Sequence, residues 1–449
     1  MKHLWNRCFC LLFAAALVTK LTGCGVQSES VIIEGSAPSV ESQITAAEVQ
    51  QVSLEEYFTN RELSGEYDAM EATSIELSGE SITITQGGTY LLTGSIEDGM
   101  VTVDVSDSEK VQLVLCGVEI SNSSNAAVYI KEADKVFITL AEGSVNRLSS
   151  ESYTDLDENH IDGCIFSKAD LAVNGTGSLE ITAEEGHGIV SKDDLVITGG
   201  ELHITAAKDC LTGKDGVRIG GGTLVLDAGD DGIHSDEQTA VYAGSIEITE
   251  CYEGIEGKQV TIAGGTVSIC ASDDGLNATE ESILISGGTI SINAQGDGID
   301  SNVDLLMTGG EVFVSGPVGG ANGALDYDGT AQITGGRIIA LDSGGMAVNF
   351  GDTSTQGSIL LKNQTGEAGT EIILTDESGT VLFEFTAQKA FNAVVISCPE
   401  LQVGGTYAIT VGEESTQVTL ESVIYGEGFS MGQPGGGQPG QRPEGAPDG

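Results

Sequence analysis

Carboxylates recur in this 449-residue chain at fixed offsets from a repeating apolar residue. Two positions before that residue stand His187, Asp209, Asp231, Glu253, Asp274 and Asp297; one position after it stand His234, Glu256, Asn277, Asp300 and Asp326; Asp230 and Asp273 add further acids. If the repeats stack as neighbouring strands, equivalent carboxylates lie about 4.8 Å apart. At that separation like charges repel by roughly 0.9 kcal/mol in water and about 3.5 kcal/mol at an effective dielectric of 20. Such a column needs a counter-ion or raised pKa values. Carboxylate and amide oxygens on a glycine-flexible backbone suit Ca²⁺, which takes hard oxygen ligands. The candidate metal residues are therefore Asp209, Asp230, Asp231, Glu253, Glu256, Asp273, Asp274, Asp297, Asp300 and Asp326. The competing reading is that Asp-Gly only makes turns, with the aspartate oxygen bonding nearby backbone.

Three positions after the apolar residue runs a second column, Lys168, Lys192, Lys214 and Lys258. A lysine beside bound calcium could abstract the proton α to a uronate carboxylate, which is the chemistry of a calcium-dependent polysaccharide lyase. The plainer role is charge balance for the acidic column. No Ser/His/Asp or zinc-type spacing appears, and no single catalytic residue stands out.

The element that positions these side chains is a repeat of about 22 residues. The apolar residue falls at Ile165, Ile189, Leu211, Ile233, Ile255, Leu276, Ile299 and Leu325, with spacings of 24, 22, 22, 22, 21, 23 and 26. Glycine pairs keep the same beat at 199–200, 221–222, 264–265, 287–288, 309–310 and 335–336. Helix formers are scarce, and each unit carries two short alternating segments such as 266–269 and 283–285, bounded by Gly and Asp. Each unit is then one coil of strand, turn, strand, turn. The fold class is all-β, a parallel β-helix whose coils bury their apolar column against the coils above and below.

Around this core the chain divides by composition. Residues 1–23 carry Lys2 and Arg7, an apolar run too short to span a bilayer, and Leu-Thr-Gly before Cys24. That pattern predicts a signal peptide and lipidation of Cys24, hence an extracellular, membrane-anchored lipoprotein; a plain signal peptide cut nearby is the alternative. Residues 24–56 read as anchor and tether, 57–345 as β-helix, 346–426 as a small C-terminal β unit capping its open end, and 427–449 as a Gly/Pro/Gln tail. The polar stretch 144–162 reads as a loop on the working face. Residues 1–23 hold three of the 18 basic residues and none of the 68 acidic ones, so removing them takes the net charge from −50 to −53. Nucleic acid and anionic membrane are poor partners for that surface, leaving the lipid as the only membrane contact; a monomer is expected. The only tryptophan, Trp5, leaves with the signal peptide, so Tyr242, Tyr252 and Tyr327 are the candidate rings for a neutral sugar. Cys116, Cys164, Cys210, Cys251, Cys270 and Cys398 remain. In this register Cys164 and Cys210 stand about 9.6 Å apart and Cys251 and Cys270 about 8 Å, so all read as small buried thiols.

The phrases TNRELSGEYD (59–68), GGTYLLTGS (87–95), KVFITLAEG (135–143), the DGI and DGL coils, the GTYAITV stretch and the Gly/Pro tail together resemble a bacterial surface family of carbohydrate-binding parallel β-helices, formerly a domain of unknown function and similar in fold to pectate lyases. The resemblance covers roughly residues 57–425. It implies a right-handed β-helix, calcium between Asp-bearing coils, and binding of cellulose or pectin-like polysaccharide without established lyase activity. Its calcium residues correspond here to Asp231, Asp274, Asp297 and Asp300. Departures stand at His187, Gly163 and Gly323, where the acid is missing, and at Cys210, which replaces the turn glycine. A calcium-dependent pectate-type lyase and a surface adhesin or spacer without sugar binding remain the alternatives.

Overall fold

The computed structural model describes residues 53–154 and 159–426. The expected signal peptide, Cys24, most of the tether and the tail lie outside the described residues. Apart from a single 3-10 turn at Leu54–Glu56 and a five-residue helix at Asn60–Ser64, the regular elements are β-strands. No described helix is long and apolar enough to cross a membrane.

Strand pairing follows the repeat. Ile165, Ile189, Leu211, Ile233, Ile255, Leu276, Ile299 and Leu325 pair in sequence, each with the next, in parallel register. All are buried. Val128, Val101 and Ile82 extend the same column toward the N-terminus, giving an 11-stranded sheet. The fold is a parallel β-solenoid, as the repeat predicts.

Each coil nevertheless contains three strands where the sequence suggested two. One coil runs Ile255–Gly257, Gln259–Ile262 and Thr266–Ala271. The extra strand is the one that carries the apolar column. Three residues show one alternation at most, so a period of two is invisible there. The other two faces belong to a 22-stranded sheet, joined because some strands, such as Gln238–Cys251, bend through the corner without a break. That corner explains the glycine pair. Gly265 adopts φ +82°, and a Cβ on Gly264 would stand 2.2 Å from the Tyr242 carbonyl oxygen of the coil below. Only glycine meets both conditions.

The C-terminal end of the solenoid is closed by antiparallel pairing. Arg337–Asp342 pairs with Phe391–Ser397, which pairs in turn with Ser358–Gly366. A separate 4-stranded antiparallel sheet, Glu371–Asp376, Val381–Thr386, Thr406–Val411 and Glu414–Thr419, packs a second apolar core. Reversing strand direction covers the edge that a further parallel coil would otherwise extend.

Other expectations need correction. Val145–Ser150 is a strand paired with Glu119–Asn122 and Ser178–Ala183, so the polar excursion begins only after it; its inward positions Asn146 and Ser150 are polar and Val145 faces outward, which hid the alternation. Cys270 is exposed and Cys116 partly so, although none of the described cysteines is in a disulfide. A bulge between Ile248 and Cys251 puts Cys251 opposite Ala271 and turns it inward, leaving Cys270 on the outer face. Tyr242 is not an open platform. The segment before the solenoid lies along its flank, where Tyr57 stacks on Tyr242 at 4.0 Å and Phe58 meets its edge. Thr59 and Glu62 form a capping box, and Glu62 makes a buried 2.7 Å ion pair with Lys135. The TNREL phrase is thus a strap.

Candidate metal centre

The acidic turns link the last strand of one coil to the short strand of the next, and they stack as tightly as the strands. Gly254 N–H donates to the Asp274 carbonyl, and Gly275 N–H to that of Asp297. A Cβ at Gly275 would come 2.5 Å from the Gly298 carbonyl oxygen, so the residue between acid and apolar column must be small. Cys210 fits this place because its sulfur turns toward the Ile204 and Asp227 carbonyls.

One oxygen of each aspartate is used structurally. Asp209 Oδ1 accepts the Asp231 N–H at 3.2 Å and Asp231 Oδ1 accepts the Glu253 N–H at 3.3 Å. Asp274 and Asp297 do the same for the amides of Asp297 and Gly323. The turn-making role is therefore real, but it occupies only one oxygen of each carboxylate. Glu253, one methylene longer, reaches instead to Asn277 Nδ2 at 2.8 Å, which interrupts the ladder and divides the column into two stretches.

In the first stretch histidines lie among the acids. His187 Nδ1 is 3.1 Å from Asp209 Oδ2. His234 Nδ1 stands 3.2 Å from Asp231 and 3.0 Å from Glu256. Burial opposes the imidazolium, but the hydrogen bonds to Asp231 and Glu256 outweigh it and raise its pKa to about 11. Burial pushes Asp231 up to about 8, whereas in Glu256 the same burial is overcome by the bond to His234, and its pKa is lowered. These contacts favour the charged forms of His234 and Glu256 over that of Asp231. Asp209 is also held low, against burial, by His187. Burial, then repulsion from Glu256, raises Glu253 to about 8. Asp209, Asp230 and Asp231 bring one oxygen each within 4.8 Å of one another, as do the ligand atoms of Asp231, His234 and Glu256.

The second stretch contains only acids and amides. Oxygens of Asp274, Asp297 and Asp300 lie within 4.8 Å of one another. Burial, reinforced by mutual repulsion, raises Asp274 to about 8, Asp297 to about 7 and Asp300 to about 6. Asp326 pairs with Asp300 on the next coil and is raised by the same burial. Asp273 flanks Asp274 and sits beside the exposed Tyr252 hydroxyl. Among the described residues no Lys, Arg or His forms an ion pair with any of these acids. An all-oxygen, half-dry set without an internal cation fits a hard divalent ion such as Ca²⁺. The trio around His234 fits one less well, because the imidazole Nδ1 already stands between the two carboxylates at 3.2 and 3.0 Å.

Two of the four column lysines are engaged elsewhere. Lys258 is bonded to Glu237 at 2.8 Å, and that bond raises its pKa. Lys192 lies over the Phe166 ring and 3.9 Å from Asp162. Sequence reasoning placed His234 in the column without assigning it a charge role; the signal was a basic residue in an otherwise acidic or amide position.

A family profile described as carbohydrate-binding domain-containing protein matches residues 78–259 and 241–415. A carbohydrate-binding domain-containing protein of Acetivibrio thermocellus is 31% identical over 204 residues, 44% of this chain and 65% of the relative, so the chain spans just under two thirds of that relative's length. Among solved structures, the polysaccharide lyase-like protein from C. thermocellum, as a gadolinium derivative, matches with a TM-score of 0.38 and 27% identity over 58% of this chain and 95% of that one.

Proposed function

The chain belongs to the family of carbohydrate-binding domain-containing proteins, and from that premise we propose that it is an exported, lipid-anchored surface protein whose acid-only turns hold Ca²⁺ and, with it, polysaccharide. Cys24 would carry the lipid. Asp274, Asp297 and Asp300 would hold the ion, with Asp273 and Asp326 beside them. The observation that carries this reading is a half-buried, mutually repelling carboxylate cluster without an ion-pair partner among the described residues, in a fold that repeats its turns along one edge. Three carboxylates leave several of the six to eight positions of Ca²⁺ for water and sugar oxygens.

The charge of the chain decides how an acidic sugar would bind. A protein of net −50 repels a uronate polymer, so tight retention of the polymer would need calcium shared between its carboxylates and the protein's. Neutral cellulose has no such need and would use an exposed ring; of the three candidates Tyr252 remains open, Tyr242 is covered by Tyr57, and Tyr327 donates its hydroxyl to the Asn349 carbonyl. The test is retention on insoluble polygalacturonate and on cellulose, each in calcium and in EDTA. Polygalacturonate retention should vanish in EDTA while any cellulose retention persists. Calcium-free retention on polygalacturonate at physiological salt would contradict the assignment.

A further inference from the structure

A cleft of about 500 Å³ lies where the outer face of the solenoid meets the C-terminal unit, lined in part by Cys270, Asn293, Gln295, Val318 and Lys389. Lys389 belongs to the turn before Phe391–Ser397 and reaches across to donate to the Ala294 carbonyl. It is half buried, makes no ion pair among the described residues, and burial lowers its pKa to about 8, so it stays mostly charged at neutral pH. An ammonium has three donors, and here one is used on a carbonyl. In a chain this acidic, a half-buried cation left without a carboxylate is unusual, because buried charge is normally paired. Asn293 and Gln295 add amide donors and acceptors at the same cleft. Ser315, next in register after Asn293, carries a buried hydroxyl with no partner.

We propose that this cleft is a calcium-independent subsite for one acidic sugar unit, a uronate, whose carboxylate pairs with Lys389 while its hydroxyls meet Asn293 and Gln295. The inference rests on the carbohydrate-binding reading but on none of the calcium residues. Gln295 is two residues before Asp297, so a chain seated in the cleft continues toward the acid-only turns. A single ion pair gives weak binding, on the order of 1 mM, too weak to retain a polymer on a column but measurable with short oligomers.

The experiment is calorimetric or NMR titration of the full protein with trigalacturonate in EDTA at pH 7, with neutral galactotriose as control. Trigalacturonate should bind and galactotriose should not. Lys389→Met should weaken trigalacturonate binding at least tenfold, Lys389→Arg should recover part of it, and Lys110→Met, which removes an exposed ammonium paired with Asp134 and outside the cleft lining, should leave it unchanged. Melting curves establish that each variant is folded; if Lys389→Met is not, Gln295→Leu on the exposed rim should still weaken binding several-fold. Unaltered affinity in Lys389→Met, no preference for the acidic over the neutral trimer, or no trigalacturonate binding in EDTA each overturns the subsite. The calcium reading fails separately, by polygalacturonate retention that ignores EDTA.

Discussion

The stretch from His187 to Glu256 and the stretch from Asp273 to Asp326 share one turn, one register and one apolar column, yet they neutralise their stacked carboxylates differently. The first carries imidazoles at His187 and His234 within 3.2 Å of the acids. The second has aspartates raised to between about 6 and about 8 and no ion-pair partner among the described residues. Adjacent like charges cost roughly 3.5 kcal/mol at an effective dielectric of 20, so neither stretch can be left as bare carboxylate. A repeat protein can meet this cost with a side chain of its own or with an ion from outside. The second choice leaves coordination positions free for a ligand.

The largest expected effect tests what the two stretches share. Ile233→Asp and Ile299→Asp each bury an unpaired charge between coils, and each should cost more than about 4 kcal/mol, seen as loss of cooperative melting. A mild effect in one stretch only would mean that the column is not continuous.

Next comes conversion of one stretch into the other. His234→Gln removes the imidazolium and leaves Asp231 and Glu256 facing each other, which should destabilise the calcium-free protein by about 3 kcal/mol, as does breaking a buried pair from one side. Added calcium should return part of that loss if the oxygens left behind now accept an ion. Absence of any calcium response in this variant would show that oxygen content alone does not make a site here.

The aspartates and His234 act on stability with the same sign but in different windows, and Asp231 and Glu253, raised to about 8, add to the aspartate window. Asp274, Asp297 and Asp300 have folded pKa values above the ordinary carboxylate value, so the folded chain binds more protons than the unfolded one as pH rises from about 4 to about 8. Stability of the metal-free protein therefore falls across that window. His234, raised to about 11, contributes stability that is complete below the ordinary histidine pKa and is lost as pH rises through about 11. Calorimetric melting in EDTA should give a higher Tm at pH 5 than at pH 8, and saturating calcium should narrow the gap. Asp297→Asn should narrow it too, and should reduce the calcium response.

The smallest effect concerns Tyr252, the exposed ring beside Asp273. Tyr252→Ala should change the unfolding free energy by about 1 kcal/mol or less while weakening retention on cellulose. Unchanged cellulose retention would move neutral-sugar binding away from this edge.

Much of the fold was legible because its signals repeat. Ile233 or Leu276 alone says little, but eight such residues on one beat specify a column, and six glycine pairs on the same beat specify a recurring corner. What stayed hidden was either too short or too remote. The strand Ile233–Ser235 has no room for a period, and the bulge that turns Cys251 inward is a one-residue change of register. Tyr242 is covered by Tyr57, 185 positions earlier in the sequence, and Lys389 meets the Ala294 carbonyl from 95 positions later. The candidate site was legible as a list of acids. Its division at Glu253 was not, because that depends on which oxygen reaches which amide.

The most direct test of the division is crystallography of the calcium-soaked protein with anomalous data collected for the ion. The account predicts a peak among Asp274, Asp297 and Asp300 and none among Asp231, His234 and Glu256. A peak confined to the His234 trio, or none at the acid-only turns under saturating calcium, would contradict it.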